Sequence, residues 1–302
     1  MDQLKDHPLY RKHNIDSAMS ALWDFYKGRF LTLFIVSLVM SGVIQYATIL
    51  IDLKSLQTIT DPALVLAKLK GYIVPFLIIM AISLLFNIIL HYYILHKPLD
   101  SSANIFRSVY KSLKYYIPYL IIMILFALVG SLAIVLGIFV LVVGMFFAIA
   151  WVAMMSFFFL PVMMAEETNI GDTVSRTIRL AHANFWPNMG WTAIFLIIYI
   201  IISLILSGLV LLPFAGSFIK TFANPQDTSS IVNLPTDPVF LFLSSAVNAL
   251  TLPLFPIFAY IMYFNGRARE ENLQVSVEPG TSEPGVRVED LYAKPRDENK
   301  FE

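Results

Sequence analysis

Two adjacent carboxylates, Glu166 and Glu167, are the residues whose type best suits acid–base chemistry in this sequence. Neighbouring positions on a helix point about 100° apart, so these side chains do not converge on one substrate atom. They follow a long uncharged run and precede Arg176 and Arg179. This arrangement favours a salt bridge to one of these arginines over catalysis, and we assign no catalytic residue.

The other reactive residue types form no recognisable site. The sequence contains no Cys and therefore no thiolate ligand or thiol nucleophile. Its five histidines show no metal-ligand spacing. Neither a glycine-rich phosphate loop nor a nucleophile elbow is present. We expect neither a metal nor a cofactor.

A second polar group lies inside otherwise apolar runs and consists of Gln45, Asn87, His91 and Asn248. Within a membrane, such side chains join helices through hydrogen bonds or line a solute pathway. We interpret His91, which lies about one turn from the end of its run, as a residue that reaches the membrane interface. The other three are expected to line a cavity if the protein carries a solute. Ion-coupled transport usually requires a charged residue at mid-membrane, and the apolar runs contain none there.

Composition identifies the chain as a membrane protein. It has 302 residues, of which 58% are hydrophobic and 14% charged, and its mean hydropathy is +0.72. Soluble domains are typically about 25% charged. The net charge is zero, which argues against nucleic-acid binding, because phosphate contacts need a basic surface.

Uncharged runs predict an all-α, polytopic fold with six transmembrane helices. A single helix over residues 115–165 would be about 75 Å long, more than twice the hydrocarbon core of about 30 Å. We therefore predict two helices there, folded near Gly137 and Gly144, where glycine permits a turn. The other four predicted spans are residues 30–51, 72–95, 189–214 and 238–264.

The distribution of basic residues predicts the orientation. Of the 21 Lys and Arg residues, only Lys54, Lys68, Lys70 and Lys220 fall on predicted outer loops. The positive-inside rule then places both termini in the cytosol. We predict a cytosolic segment with an amphipathic helix at 1–29, a six-span membrane domain at 30–266 and a disordered cytosolic tail at 267–302. Within the tail, residues 288–292 could dock on a partner, but we favour the interpretation that they are solvated like the rest of the tail.

Three segments that precede odd-numbered spans share an apolar stripe with a period near 3.6 residues. These segments, 15–29, 102–115 and 172–185, are predicted to be helices that lie along the membrane surface. We predict three divergent repeats of such a helix followed by a helical hairpin. Basic residues on the polar sides are expected to contact lipid headgroups, and they are Arg107, Lys111, Lys114, Arg176 and Arg179.

A short pattern surrounds the third of these helices and is completed at the end of the last span. It consists of Pro161, Glu166, the Ser175 to Arg179 stretch, Phe185–Trp186 and a final run from Tyr263 to Glu270. This pattern resembles that of a bacterial family of six-span inner-membrane proteins, which includes the membrane domain attached to some glycerophosphodiester phosphodiesterases and related stand-alone proteins. Asn265 stands where the family usually has an acid, and the catalytic phosphodiesterase domain has no counterpart. The resemblance implies a bacterial inner membrane and names no activity.

Three hypotheses of function follow. The favoured one is a non-catalytic protein that organises membrane lipids or a partner membrane protein through its basic residues. The first alternative is a carrier of a lipophilic or small solute, with Gln45, Asn87 and Asn248 around the pathway. The second is a membrane-embedded lipid enzyme that uses Glu166, Arg179 and His182.

Overall fold

The computed structural model describes residues 2–51, 61–100, 104–224 and 233–277, which are mostly helical and include no β-strand. The island at 288–292 lies outside these residues. The α-helices of the first half are α1 (Ile15–Gly28), α2 (Phe30–Ala47), α3 (Pro62–His96), α4 (Ile105–Ser112), α5 (Tyr116–Phe139) and α6 (Leu141–Ala165). Those of the second half are α7 (Ile170–Ala183), α8 (Phe185–Leu211), α9 (Ala215–Ala223), α10 (Pro238–Thr251) and α11 (Leu254–Val277).

The described residues contain six segments that are long and apolar enough to cross a membrane, which confirms the predicted six-span class. Two boundaries differ from the prediction. Helix α3 begins at Pro62, ten positions before the expected start, with Asp61 as its N-cap. Helix α11 continues to Val277, so the irregular tail predicted from Arg267 is wrong for residues 267–277.

The turn between α5 and α6 lies at Val140, between the two glycines that predicted it. A Cβ atom added to Gly137 would lie 2.7 Å from the carbonyl oxygen of Gly144, and one added to Gly144 would lie 2.5 Å from that of Gly137. The two backbones therefore touch, and only glycine permits this close approach.

Burial is concentrated at one end of the bundle. Residues 88–95 of α3, 257–264 of α11 and most of 154–164 of α6 are buried together with the inner face of α1. At the opposite end, Phe139, Val140 and Val143 are largely exposed. Apolar side chains lose nothing by facing lipid, so tight packing is not required there.

The three predicted surface segments contain helices α1, α4 and α7. Each begins after an asparagine whose side chain accepts a hydrogen bond from the backbone three residues on, and these caps are Asn14, Asn104 and Asn169. In α7 the buried face carries Thr173, Arg176, Thr177, Leu180 and Ala181, whereas Ile178 is exposed. Their position at the membrane surface and the threefold repeat remain predictions.

Candidate functional site

Polar side chains from three spans converge on a cavity of about 400 Å³ inside the bundle, which we call the central cavity. Asn87 and His91 of α3 lie one turn apart and share a face of that helix. Ser83 of α3, Tyr119 of α5 and Ser156 of α6 are the other polar residues of the lining, and the hydroxyl of Ser83 donates to the carbonyl oxygen of Ile79. The rest is apolar, so the cavity has the character of a small-molecule site, with a few convergent polar groups in an apolar wall.

His91 is only 5% exposed and lies inside the helix bundle, and its predicted reach to the membrane interface remains a prediction. Its Nδ1 lies 3.0 Å from the backbone oxygen of Asn87, to which it donates. Among the described residues, no protein group is hydrogen-bonded to Nε2 of His91, to the hydroxyl of Tyr119 or to the side-chain amide of Asn87. By contrast, the hydroxyl of Ser156 donates to the carbonyl oxygen of Val152 at 2.8 Å. Three polar groups therefore remain available at the cavity.

The sixth span is interrupted beside this cavity. Helix α10 ends at Thr251 and α11 begins at Leu254, with Pro253 between them. Leu252 and Phe255, on the two sides of that proline, line the central cavity. The interruption follows from the sequence, because proline lacks the N–H that an unbroken helix needs.

Gln45 and Asn248 lie elsewhere. They line a separate cavity of about 300 Å³ with Ser207 of α8 and Ser244 of α10. The expectation that Gln45, Asn87 and Asn248 surround one pathway is therefore wrong: only Asn87 belongs to the central cavity. Consecutive residues of α2 point in different directions, so Ile44 lines the central cavity whereas Gln45 lines the separate cavity.

At the packed end of the bundle, four ionised residues form what we call the charged cluster: Glu166, Arg176, Arg267 and Glu270. Nε of Arg176 lies 3.1 Å from Glu166, and its NH1 lies 2.7 Å from Glu270. Arg267 lies 3.7 Å from Glu166 and 3.5 Å from Glu270. The cluster thus joins the end of α6 to α7 and α11, and it contains the predicted salt bridge between Glu166 and Arg176.

Arg176 was expected to face lipid headgroups, and the structure places it inward with its side chain only 8% exposed. Burial disfavours the charge, but the hydrogen bond to Glu270 and the neighbouring Glu166 raise the pKa of Arg176 above its usual value. The guanidinium therefore stays charged. The other four predicted headgroup contacts, Arg107, Lys111, Lys114 and Arg179, are exposed.

Three of those exposed cations are paired with carboxylates of the same chain. Arg107 lies 3.2 Å from Asp100, and Lys114 lies 2.9 Å from Glu167. Arg179 lies 3.6 Å from Glu270 of the charged cluster. The pKa of Glu167 is lowered by its hydrogen bond to Lys114. These pairs neutralise much of the positive charge that the headgroup hypothesis requires.

The residues of the enzyme hypothesis are not assembled into a reactive set. Glu166 is buried in the charged cluster, whereas both nitrogens of His182 are occupied. Its Nδ1 donates to the backbone oxygen of Ile178 at 2.9 Å, and its Nε2 accepts from Trp151 at 3.4 Å. His182 borders an apolar groove of about 880 Å³ between α5, α6 and the start of α8. Within the described part of the chain, no group of three or more metal-ligating residues occurs.

The sequence analysis missed Tyr119 and Ser156 at the central cavity and Glu270 in the charged cluster. Tyr119 and Ser156 lie in a long apolar run with no periodic signal, whereas Glu270 was assigned to the tail. Comparisons with protein-family models, with curated proteins and with solved structures find no match to this chain.

Proposed function

We propose that this integral membrane protein is a carrier that binds a small, uncharged and mainly apolar solute in the central cavity. The observation that supports this proposal best is the broken sixth span, because Leu252 and Phe255 on either side of Pro253 line the cavity that contains Asn87 and His91. Carriers typically bind substrate beside a discontinuous helix near the middle of the membrane. A volume of about 400 Å³ lies within the range of small-molecule sites.

The break also supplies an element that can move. Pro253 and Pro256 each lack the N–H that would form a backbone hydrogen bond in a continuous helix. The connection between α10 and α11 is therefore weaker than it would be if the sixth span were one unbroken helix. The hydroxyl of Tyr26 donates to the carbonyl oxygen of Leu250 at 2.8 Å, which links α1 to the end of α10. In this proposal, α11 pivots at the break and opens the cavity to each side in turn.

The lining excludes charged solutes. Among the described residues that line the central cavity, none is Asp, Glu, Lys or Arg. A charged solute would leave an unpaired ion in a low-dielectric site, which is strongly unfavourable. A neutral solute with one or two polar groups meets the available side chains at no such cost.

The headgroup hypothesis has less support than the carrier. Its basic residue Arg176 is buried, and Arg107, Lys114 and Arg179 form ion pairs within the chain. We place the carrier in a bacterial inner membrane with both termini in the cytosol. The distribution of Lys and Arg and the six-span resemblance support this location.

Native purification followed by mass spectrometry tests the function. We expect a neutral small molecule to accompany the wild-type protein and to be lost from Asn87→Leu. Asn248→Leu is the matched control, because the same substitution alters the separate cavity and should retain the molecule.

The recovered molecule should then cross liposome membranes faster when wild-type protein is present than when Asn87→Leu is present. Equal flux through both proteins, or retention of the molecule by Asn87→Leu, would refute a carrier that uses the central cavity.

A further inference from the structure

We propose that the solute of the central cavity carries a hydroxyl group, and that this hydroxyl donates a hydrogen bond to Nε2 of His91. The inference rests on the proposed function and adds the chemical class of the solute to it. It depends on which nitrogen of His91 bears the proton and on which groups face the cavity.

The backbone fixes the tautomer of His91. Its Nδ1 lies 3.0 Å from the carbonyl oxygen of Asn87, one helical turn earlier. A carbonyl oxygen accepts hydrogen bonds and cannot donate them, so Nδ1 carries the hydrogen. A neutral imidazole has a single N–H, and Nε2 therefore presents a lone pair as an acceptor.

Its surroundings keep His91 neutral. The residue is 5% exposed, and the residues around the cavity include no carboxylate that could balance an imidazolium. Its ring packs at a centroid distance of 5.7 Å from that of Tyr260, a fully buried side chain. A buried charge without a partner is much less favourable than the neutral ring.

The other available groups complement a hydroxyl. The phenol of Tyr119 is buried, lines the cavity and has no hydrogen-bond partner within the described residues. It can donate to a solute oxygen while Nε2 of His91 accepts from the same oxygen. The side-chain amide of Asn87 offers a further donor and acceptor. A hydroxyl both donates and accepts, so it satisfies His91 and one of these donors together.

Other polar groups fit less well. An ether, ester or ketone has no donor and leaves Nε2 of His91 unsatisfied in a buried site. A carboxylate or phosphate adds a charge that no cation of the lining balances. Of these classes, a neutral alcohol or phenol with an apolar body fits the cavity best, since one oxygen atom both donates to His91 and accepts from Tyr119.

Three probes with one ring system test the inference with full-length protein in detergent. 2-Naphthol supplies a hydroxyl, 2-methoxynaphthalene replaces the hydroxyl hydrogen by a methyl group and so lacks the donor, and naphthalene-2-carboxylate adds a charge. We expect the wild-type protein to bind 2-naphthol at least about tenfold more tightly than either of the others, as expected when a buried acceptor loses its donor.

Variants assign the preference to His91. His91→Phe keeps a ring of similar size and should abolish the preference for 2-naphthol while 2-methoxynaphthalene binds as before. His91→Gln keeps an acceptor and should retain part of the preference. The comparison of probes on wild-type protein requires no variant, so it remains decisive if a variant fails to fold.

The outcomes separate this inference from the proposed function. Equal affinity of wild-type protein for 2-naphthol and 2-methoxynaphthalene, weakened for both by Asn87→Leu, would overturn the hydroxyl assignment and leave the cavity as a binding site. Absence of binding for every probe, with no co-purified molecule, would overturn both. A preference for 2-naphthol that is unchanged in His91→Phe would overturn the role of His91.

Discussion

Replacement of Arg176 by Gln is expected to destabilise the protein more than loss of any of the exposed cations. The guanidinium is 8% exposed and bonds two carboxylates, Glu166 at 3.1 Å and Glu270 at 2.7 Å. Breaking a buried ion pair from one side typically costs about 3–5 kcal/mol. Arg267 remains within 4 Å of both carboxylates, so we expect a loss near the lower end, about 3 kcal/mol.

A double-mutant cycle with Glu166→Gln separates the pair from its surroundings. The variant Glu166→Gln keeps the ion pair between Arg176 and Glu270. We therefore expect it to lower the free energy of unfolding by less, about 1–2 kcal/mol. The double variant should cost less than the two single variants added together. The difference is the coupling energy between the two residues, which we expect to be about 1–3 kcal/mol.

The free energy of unfolding in mixed detergent micelles is the quantity to measure. Arg179→Gln is the matched control, because that side chain is 66% exposed and lies 3.6 Å from the same Glu270. Exposed pairs contribute at most about 1 kcal/mol. If Arg176→Gln were no more destabilising than Arg179→Gln, or if the coupling energy were zero, the charged cluster would not hold α6, α7 and α11 together.

Three further predictions concern pH, packing and orientation. Burial lowers the pKa of His7 to about 4. As the pH falls below about 6.5, the unfolded chain binds a proton at this histidine before the folded protein does. The free energy of unfolding should therefore fall by about 3 kcal/mol as the pH approaches the folded-state pKa. His7→Phe should flatten that pH profile of the unfolding free energy, and an unchanged profile would contradict it. Gly144→Ala forces a Cβ atom against Gly137 and should cost about 1–3 kcal/mol in melting experiments, whereas Gly190→Ala meets open space and should be tolerated. Reporter fusions should read periplasmic after Leu53 and cytosolic after Asp100, and reversal at both sites would overturn the orientation.

The class of the protein and its number of spans could be predicted because the membrane imposes them. A hydrocarbon core about 30 Å thick requires about 20 apolar residues per helix, so uninterrupted runs can be divided by length alone. The turn between Gly137 and Gly144 and the break at Pro253 were also predictable. Both depend on backbone properties of glycine and proline, which act locally.

The inner faces of the helices were less predictable. A stripe with a period of 3.6 residues indicates that one side of α7 is more apolar than the other. In a membrane protein that apolar side can pack against lipid or against protein, so the stripe alone does not identify the buried face. Ile178 is exposed, whereas Arg176 turns inward because Glu166 and Glu270 meet it there. Glu270 is distant in sequence and lies on the part of α11 that was predicted to belong to a disordered tail.

By itself, the sequence determined that Asn87 and His91 are polar residues within a span, one helical turn apart on the same face. Only the tertiary structure decided that they face Tyr119, Ser156 and the broken sixth span, while Gln45 and Asn248 face a different cavity. Helical periodicity fixes the relative directions of side chains on one helix. It contains no information about the rotation of one helix against another, which is set by packing at the helix contacts.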